Sequence, residues 1–155
     1  MNIDSINKWL ALSGNFGVIA GIVFLGIEIS QNTKSMQAQT RAQLTAQGQN
    51  AIELLMTDAE LLDIYMRVNR NEEVTPLERG RYNLYVRHDF RGLENVFYQY
   101  RAGNFTDTEF EGQKGRFRSA FIRPGYRRFW TNNKSEFSLE FQNEIESLYS
   151  EIATE

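Results

Sequence analysis

Nineteen uncharged residues run from Trp9 to Ile27, reading WLALSGNFGVIAGIVFLGI, between Lys8 and Glu28. In a helix, with a rise of about 1.5 Å per residue, this run covers roughly 28 Å, close to the hydrocarbon thickness of a bilayer. From Phe16 to Ile27 it has no polar side chain. A soluble core helix is usually shorter and shows a polar stripe on one side. A cleaved signal needs a basic leader and a small-x-small cleavage site. The leader MNIDSINK balances one Lys against one Asp, and no such site follows before Gln31. The run predicts a membrane span.

Beyond Ser30 the composition changes. SQNTKSMQAQTRAQLTAQGQNA is rich in Gln, Ala and Thr and lacks proline. Ala and Gln are good helix formers, whereas a flexible linker would carry more Gly, Ser or Pro. A polar helical stalk is expected over 31–56, with Gly48 as its weak point. The remainder, 57–155, carries most of the eleven Phe and seven Tyr, which a disordered tail would not. Three capping boxes are expected to open helices there: Thr57-Asp58-Ala59-Glu60, Thr75-Pro76-Leu77-Glu78 and Thr106-Asp107-Thr108-Glu109. The helix from Pro76 places Tyr82, Val86, Leu93, Phe97 and Tyr100 at helical spacing and should stop at Gly103. Pro124-Gly125 should end the next helix, a short YRRFW piece follows, and Ser138 should cap a last helix, LEFQNEIESLYSEI. No alternating strand pattern appears. The expected fold is all-α: membrane span 1–30, stalk 31–56, and a compact aromatic-rich helical bundle over 57–155.

Few residues invite a chemical role. With no cysteine, thiolate metal sites and a cysteine nucleophile are excluded. No phosphate loop, nucleophile elbow, zinc spacing or Glu-x-x-His pair is present. His88, the single histidine, stands beside Asp89, but adjacent helical residues point about 100° apart and cannot act as base and orienter for each other. No catalytic residue, cofactor or metal is therefore expected. Asp58, Glu60 and Asp63 cluster where acids complement a helix dipole. Arg87, Arg91 and Glu94 share a helix face and form a candidate polar network, or an anion pocket if their partners are missing.

Charge is segregated near the C-terminus. From Gly112 to Ser135 there are seven bases and no acid: Lys114, Arg116, Arg118, Arg123, Arg127, Arg128 and Lys134. Glu136, Glu140, Glu144, Glu146, Glu151 and Glu155 then follow with no base. The expected outcome is that the last helix folds back on the basic segment. The alternative sets that segment against an anionic leaflet. A net charge of −3 argues against general nucleic-acid binding.

Within the apolar run, Gly14, Gly17, Gly21, Leu25, Glu28, Gln31 and Ser35 recur at three- and four-residue steps and share one face. Gly17-x-x-x-Gly21 is the pattern that lets two spans approach closely, so this face is the candidate helix-association seam.

Gln31-Asn32-Thr33 after the apolar helix, Pro124-Gly125 with Trp130, and Phe137-Ser138 with Phe141 give the chain a resemblance over nearly its whole length. It resembles a group of small bacterial single-span membrane proteins of unknown function, in which an apolar helix ends in Q-N-T and an aromatic helical domain follows. Members often have Arg where this chain has Ser30. The resemblance implies a place in the bacterial inner membrane and supplies no activity.

Three functions remain open from sequence. The first is a non-enzymatic, self-associating scaffold, sensor or interaction module. The second is a subunit of an oligomeric channel or pore, and the third is an enzyme with a pocket near Arg87, Arg91 and His88. Lys8 on one side of the span against Lys34 and Arg41 on the other predicts a cytoplasmic C-terminal domain. The bilayer and further copies of the chain are the expected partners, and nucleic acid is not.

Overall fold

The structure is a computed structural model that describes residues 3–154. It is all-α. The helices are α1 (Ile3–Thr57), α2 (Ala59–Asn69), α3 (Pro76–Arg101), α4 (Asp107–Phe121), α5 (Pro124–Asn133) and α6 (Leu139–Thr154), with one 3-10 turn at Lys134–Glu136. No strand occurs among the described residues. Two compact units divide the chain at Gln39 and Thr40.

The first unit is the beginning of α1. Every side chain from Leu12 to Met36 is exposed, including Phe16, Ile19, Ile22, Val23, Phe24 and Leu25. A Cβ added at Gly14, Gly17 or Gly21 would meet nothing within 4 Å. Among the described residues, α1 is the one helix long and apolar enough to cross a membrane.

The second unit is the bundle, and it begins at Thr40, earlier than the boundary at 57 drawn from sequence. The reason is packing: the last turns of α1 bury Ala51 and set Leu44 and Leu55 against the core. Three turns of the polar stretch therefore contribute a wall of the bundle. The core is aromatic. Phe90, fully buried on α3, has ring centroids at 5.0 Å from Trp130, 5.3 Å from Phe121 and 5.5 Å from Phe129. Offset stacks of this kind add about 0.5–1.5 kcal/mol each beyond area burial.

Helix ends follow local chemistry. The boxes at Thr75 and Thr106 are complete, each threonine accepting from the third helical amide while Glu78 or Glu109 returns to the threonine N–H. At α2 the cap is Asp58, not Thr57. The Asp58 carboxylate accepts from Leu61 N–H at 2.9 Å, while the Thr57 hydroxyl donates back to Glu53 O at 2.7 Å and extends α1. Gly103, at φ 77°, takes the left-handed position after α3 that only glycine holds without strain. α4 ends at Phe121, and Pro124 opens α5 instead of closing α4. Proline at a first helical position loses no hydrogen bond, so the same residue serves better as a start than as a stop.

Candidate functional site

A groove of about 430 Å³ opens on the bundle. The last turns of α1 supply Gly48, Ala51, Ile52 and Leu55, α2 supplies Tyr65, and α3 supplies Tyr85 and Asp89. One face of α4 and the corner after it give Arg116, Phe117, Ser119, Ala120 and Arg123, and Tyr126 of α5 closes the wall. Arg116, Ser119 and Ala120 follow the i, i+3, i+4 spacing that aligns side chains along one face of α4, and Arg123 stands in extended backbone at the start of α5. Gly48 makes room for the site. A Cβ there would lie 2.8 Å from Arg116 Nη1, so any larger residue would push the guanidinium off α1.

The lining is mostly apolar and contains one carboxylate, two guanidiniums and three phenols. Asp89 accepts from the Tyr126 hydroxyl at 2.9 Å and lies 3.7 Å from Arg116 Nη2. Arg123 donates to the Tyr65 hydroxyl, and its guanidinium sits 5.6 Å from the centre of that ring. No carboxylate is paired with Arg123 among the described residues. Burial raises the phenols of Tyr65, Tyr85 and Tyr126 above the ordinary tyrosine range, with the charge of Asp89 adding to the effect at each. They stay protonated at neutral pH. Tyr65 stands nearly perpendicular to Tyr85 (83°) and to Tyr126 (84°).

A second, smaller cavity of about 20 Å³ shares Gly48, Ala51, Asp89 and Arg116 with the groove and adds Gln47, His88, Gly92 and Gln113. It has room for about one water molecule. The His88 Nε2 atom is buried and has no hydrogen-bond partner. His88 thus faces a polar pocket that also contains Asp89, although the two are adjacent in sequence and do not pair with each other.

The Arg87–Arg91–Glu94 network is formed, and it serves the fold. Arg91 Nη1 donates to Glu94 at 2.6 Å and Arg91 Nη2 to Glu136 O at 2.9 Å. Arg87 grips the Glu136 carboxylate with two bonds, of 2.7 and 2.9 Å. Glu94, the buried charged residue of the core, also accepts from the Ser138 N–H at 3.1 Å and hydroxyl at 3.2 Å. These contacts fasten the start of α6 to α3. His88 is turned to the other cavity, so the residues grouped as a possible enzyme pocket belong to two places.

The basic segment divides. Lys114 pairs with Glu144 at 3.1 Å, Lys134 with Glu146 at 2.9 Å, and Arg118 with Glu151. The last helix therefore folds back on part of it. Arg116 and Arg123 border the groove instead. Arg127 donates to Phe121 O at 3.0 Å and Arg128 to Asn71 Oδ1 at 3.0 Å. The helix-association residues Gly14, Gly17, Gly21, Glu28 and Gln31 are all exposed on α1. Among the described residues no three His, Cys, Asp or Glu side chains are placed to hold a metal ion.

Sequence reasoning passed over Tyr65, Tyr85, Tyr126 and Asp89 as site residues. Each tyrosine lies on a different helix, α2, α3 and α5, so no local spacing links them. The one available signal was the excess of tyrosine over what a purely apolar core would use, since a buried hydroxyl needs a partner.

Compared with models of protein families, with curated proteins and with solved structures, the chain matches none of them.

Proposed function

We propose that the protein is a single-span membrane protein whose helical bundle is a non-enzymatic interaction or sensor module, and that copies associate through the Gly14–Gly17–Gly21 face. One observation carries this reading: α1 exposes a dense series of large apolar side chains, among them Trp9, Leu10, Leu12, Phe16, Val18, Ile19, Ile22, Val23, Phe24, Leu25 and Ile27, over a stretch that has no charge between Lys8 and Glu28. Water would not tolerate a face of that size on a free monomer; a bilayer satisfies it. The small residues on one side supply the close approach that drives association where the hydrophobic effect no longer acts between helices. The resemblance to bacterial single-span proteins supports an inner-membrane location, and the excess of Lys34 and Arg41 over Lys8 supports a cytoplasmic bundle.

Two measurements test the proposal. Carbonate washing should leave the chain in the membrane pellet, and recovery in the supernatant would refute the span. Replacing Gly17 and Gly21 by Leu should lower the oligomer mass in nanodiscs. An unchanged mass would remove the glycine seam, and a ring of five or more copies with an open axis would favour a pore subunit over a module.

A further inference from the structure

We infer that the groove of the bundle is a binding site for a small amphipathic organic anion, a carboxylate with an aromatic or short aliphatic body. Its volume of about 430 Å³ falls within the roughly 300–1,000 Å³ of small-molecule sites. Ala51, Phe117 and Ala120 lie beneath the groove, and Leu55 and the exposed Ile52 at its edge give an apolar body its contact area. The charges select the head group. Asp89 and Arg116 lie 3.7 Å apart and offset each other. Arg123 has only the neutral Tyr65 phenol as its hydrogen-bond partner, so the lining keeps one positive charge on its rim. A guanidinium presents five donors in a planar fork that fits a carboxylate with two parallel bonds, and one donation to a phenol oxygen leaves that fork open. The tyrosines could instead suggest an aromatic cage for an organic cation. Arg123 already occupies the face of Tyr65, at 5.6 Å, and repels a second cation.

Every lining residue lies between Gly48 and Tyr126, inside the bundle, so the inference stands apart from the membrane and self-association readings. The full chain in nanodiscs of zwitterionic lipid is titrated with phenylbutyrate, phenylbutanol and phenylbutylamine by calorimetry, with empty nanodiscs subtracted. If the chain does not enter nanodiscs, the membrane reading fails and the same titration is run in buffer. The acid should bind saturably and about ten-fold or more tighter than the alcohol, the factor expected for one charge-assisted contact. Arg123→Gln should erase that difference, Ala120→Trp should abolish binding of both by filling the floor, and Arg128→Gln should change neither. Equal affinity for acid and alcohol in the unmodified chain overturns the anion assignment, and tightest binding of the amine overturns it in favour of the cage. Undiminished binding to Ala120→Trp places the ligand elsewhere. The ligand series needs no variant, so it decides the question even if a substitution unfolds the bundle.

Discussion

Gly125 is the position where a single methyl group should do the most damage. It is the second residue of α5 and is buried. A Cβ there would lie 2.6 Å from Tyr82 Cζ and 2.8 Å from Asn69 Oδ1, with the Tyr82 hydroxyl nearer still. None of these groups is free to retreat. Tyr82 is 1% exposed and donates to Asn69 Oδ1 at 3.0 Å, and Asn69 in turn donates to Tyr65 O at 2.8 Å. Gly125→Ala must move α5 or break the Tyr82–Asn69 bond. Overpacking costs about 1–3 kcal/mol and the lost hydrogen bond about 1 kcal/mol. The better helix propensity of alanine returns about 0.5–1 kcal/mol. The net destabilisation is about 1–3.5 kcal/mol.

The comparison that makes this decisive is Gly80→Ala. Gly80 lies on the exposed side of α3, and a Cβ there meets nothing within 4 Å, so the same substitution should stabilise by about 0.5–1 kcal/mol. Urea unfolding followed by near-ultraviolet circular dichroism reads the packing of the aromatic core, and both variants share the same α1 aromatics, Trp9, Phe16 and Phe24. With a slope of about 1–3 kcal/mol per molar urea, the two variants should differ in midpoint by about 1 M or more, in opposite directions from the unmodified chain. Tyr82→Phe, which removes the nearest atom, should relieve part of the Gly125→Ala penalty. Equal midpoints for the two alanine variants would refute the packing argument.

Glu94→Ala should destabilise by about 1–3 kcal/mol, because it leaves the Ser138 amide and hydroxyl and the Arg91 guanidinium without their carboxylate; the same urea assay reads it, and a cost near zero would show that α6 is held by packing alone. Arg67 bonding to Glu78 is the main reason that the Glu78 carboxyl is held down to about 2, below its ordinary 4.5. A carboxyl depressed in the folded state contributes stability that is fully present above about pH 4.5 and is lost as pH falls through about 2. Glu78→Gln should therefore lower the melting temperature at pH 7 and shrink its fall between pH 5 and pH 2. An unchanged pH dependence would refute this. Glu109, Glu136 and Glu146 are lowered in the same direction, so the unmodified bundle should lose stability steadily over that range.

The all-α class and most helix starts were legible because they rest on local chemistry. Thr75 with Pro76 and Glu78, Thr106 with Glu109, and Gly103 each satisfy or terminate a backbone within a few residues. The errors also have local explanations. Thr57 and Asp58 are both good caps, and the choice between them depended on whether α1 would end before or after Thr57. The boundary at Thr40 could not be read from composition, because Gln47, Gly48 and Ala51 look like an exposed stalk until α3 and α4 are brought against them. Gly48 in particular reads as a weak point in one helix, and it acts as the space into which Arg116 of another helix fits. The groove was illegible for the same reason: its lining is drawn from five helices, and its two local runs, Gly48 to Leu55 on α1 and Arg116 to Ala120 on α4, meet only in the folded bundle.

The polar groups of that lining bear on the binding reading proposed above. A general base must hold a deprotonated form near the working pH and reach a substrate proton. Tyr65, Tyr85 and Tyr126 are pushed by burial toward the protonated form, so at neutral pH they offer hydroxyls and not phenolates. Asp89 already accepts from Tyr126 and faces Arg116. His88 Nε2, which has no hydrogen-bond partner, is buried beside a cavity of about 20 Å³ that has room for about one water. Asp89 and the Tyr126 hydroxyl are thus engaged with each other, whereas the Arg123 guanidinium keeps donors free for a new partner beside its one bond to Tyr65. This arrangement supports the proposed binding of an anion in the groove and the proposed reading of the bundle as an interaction or sensor module.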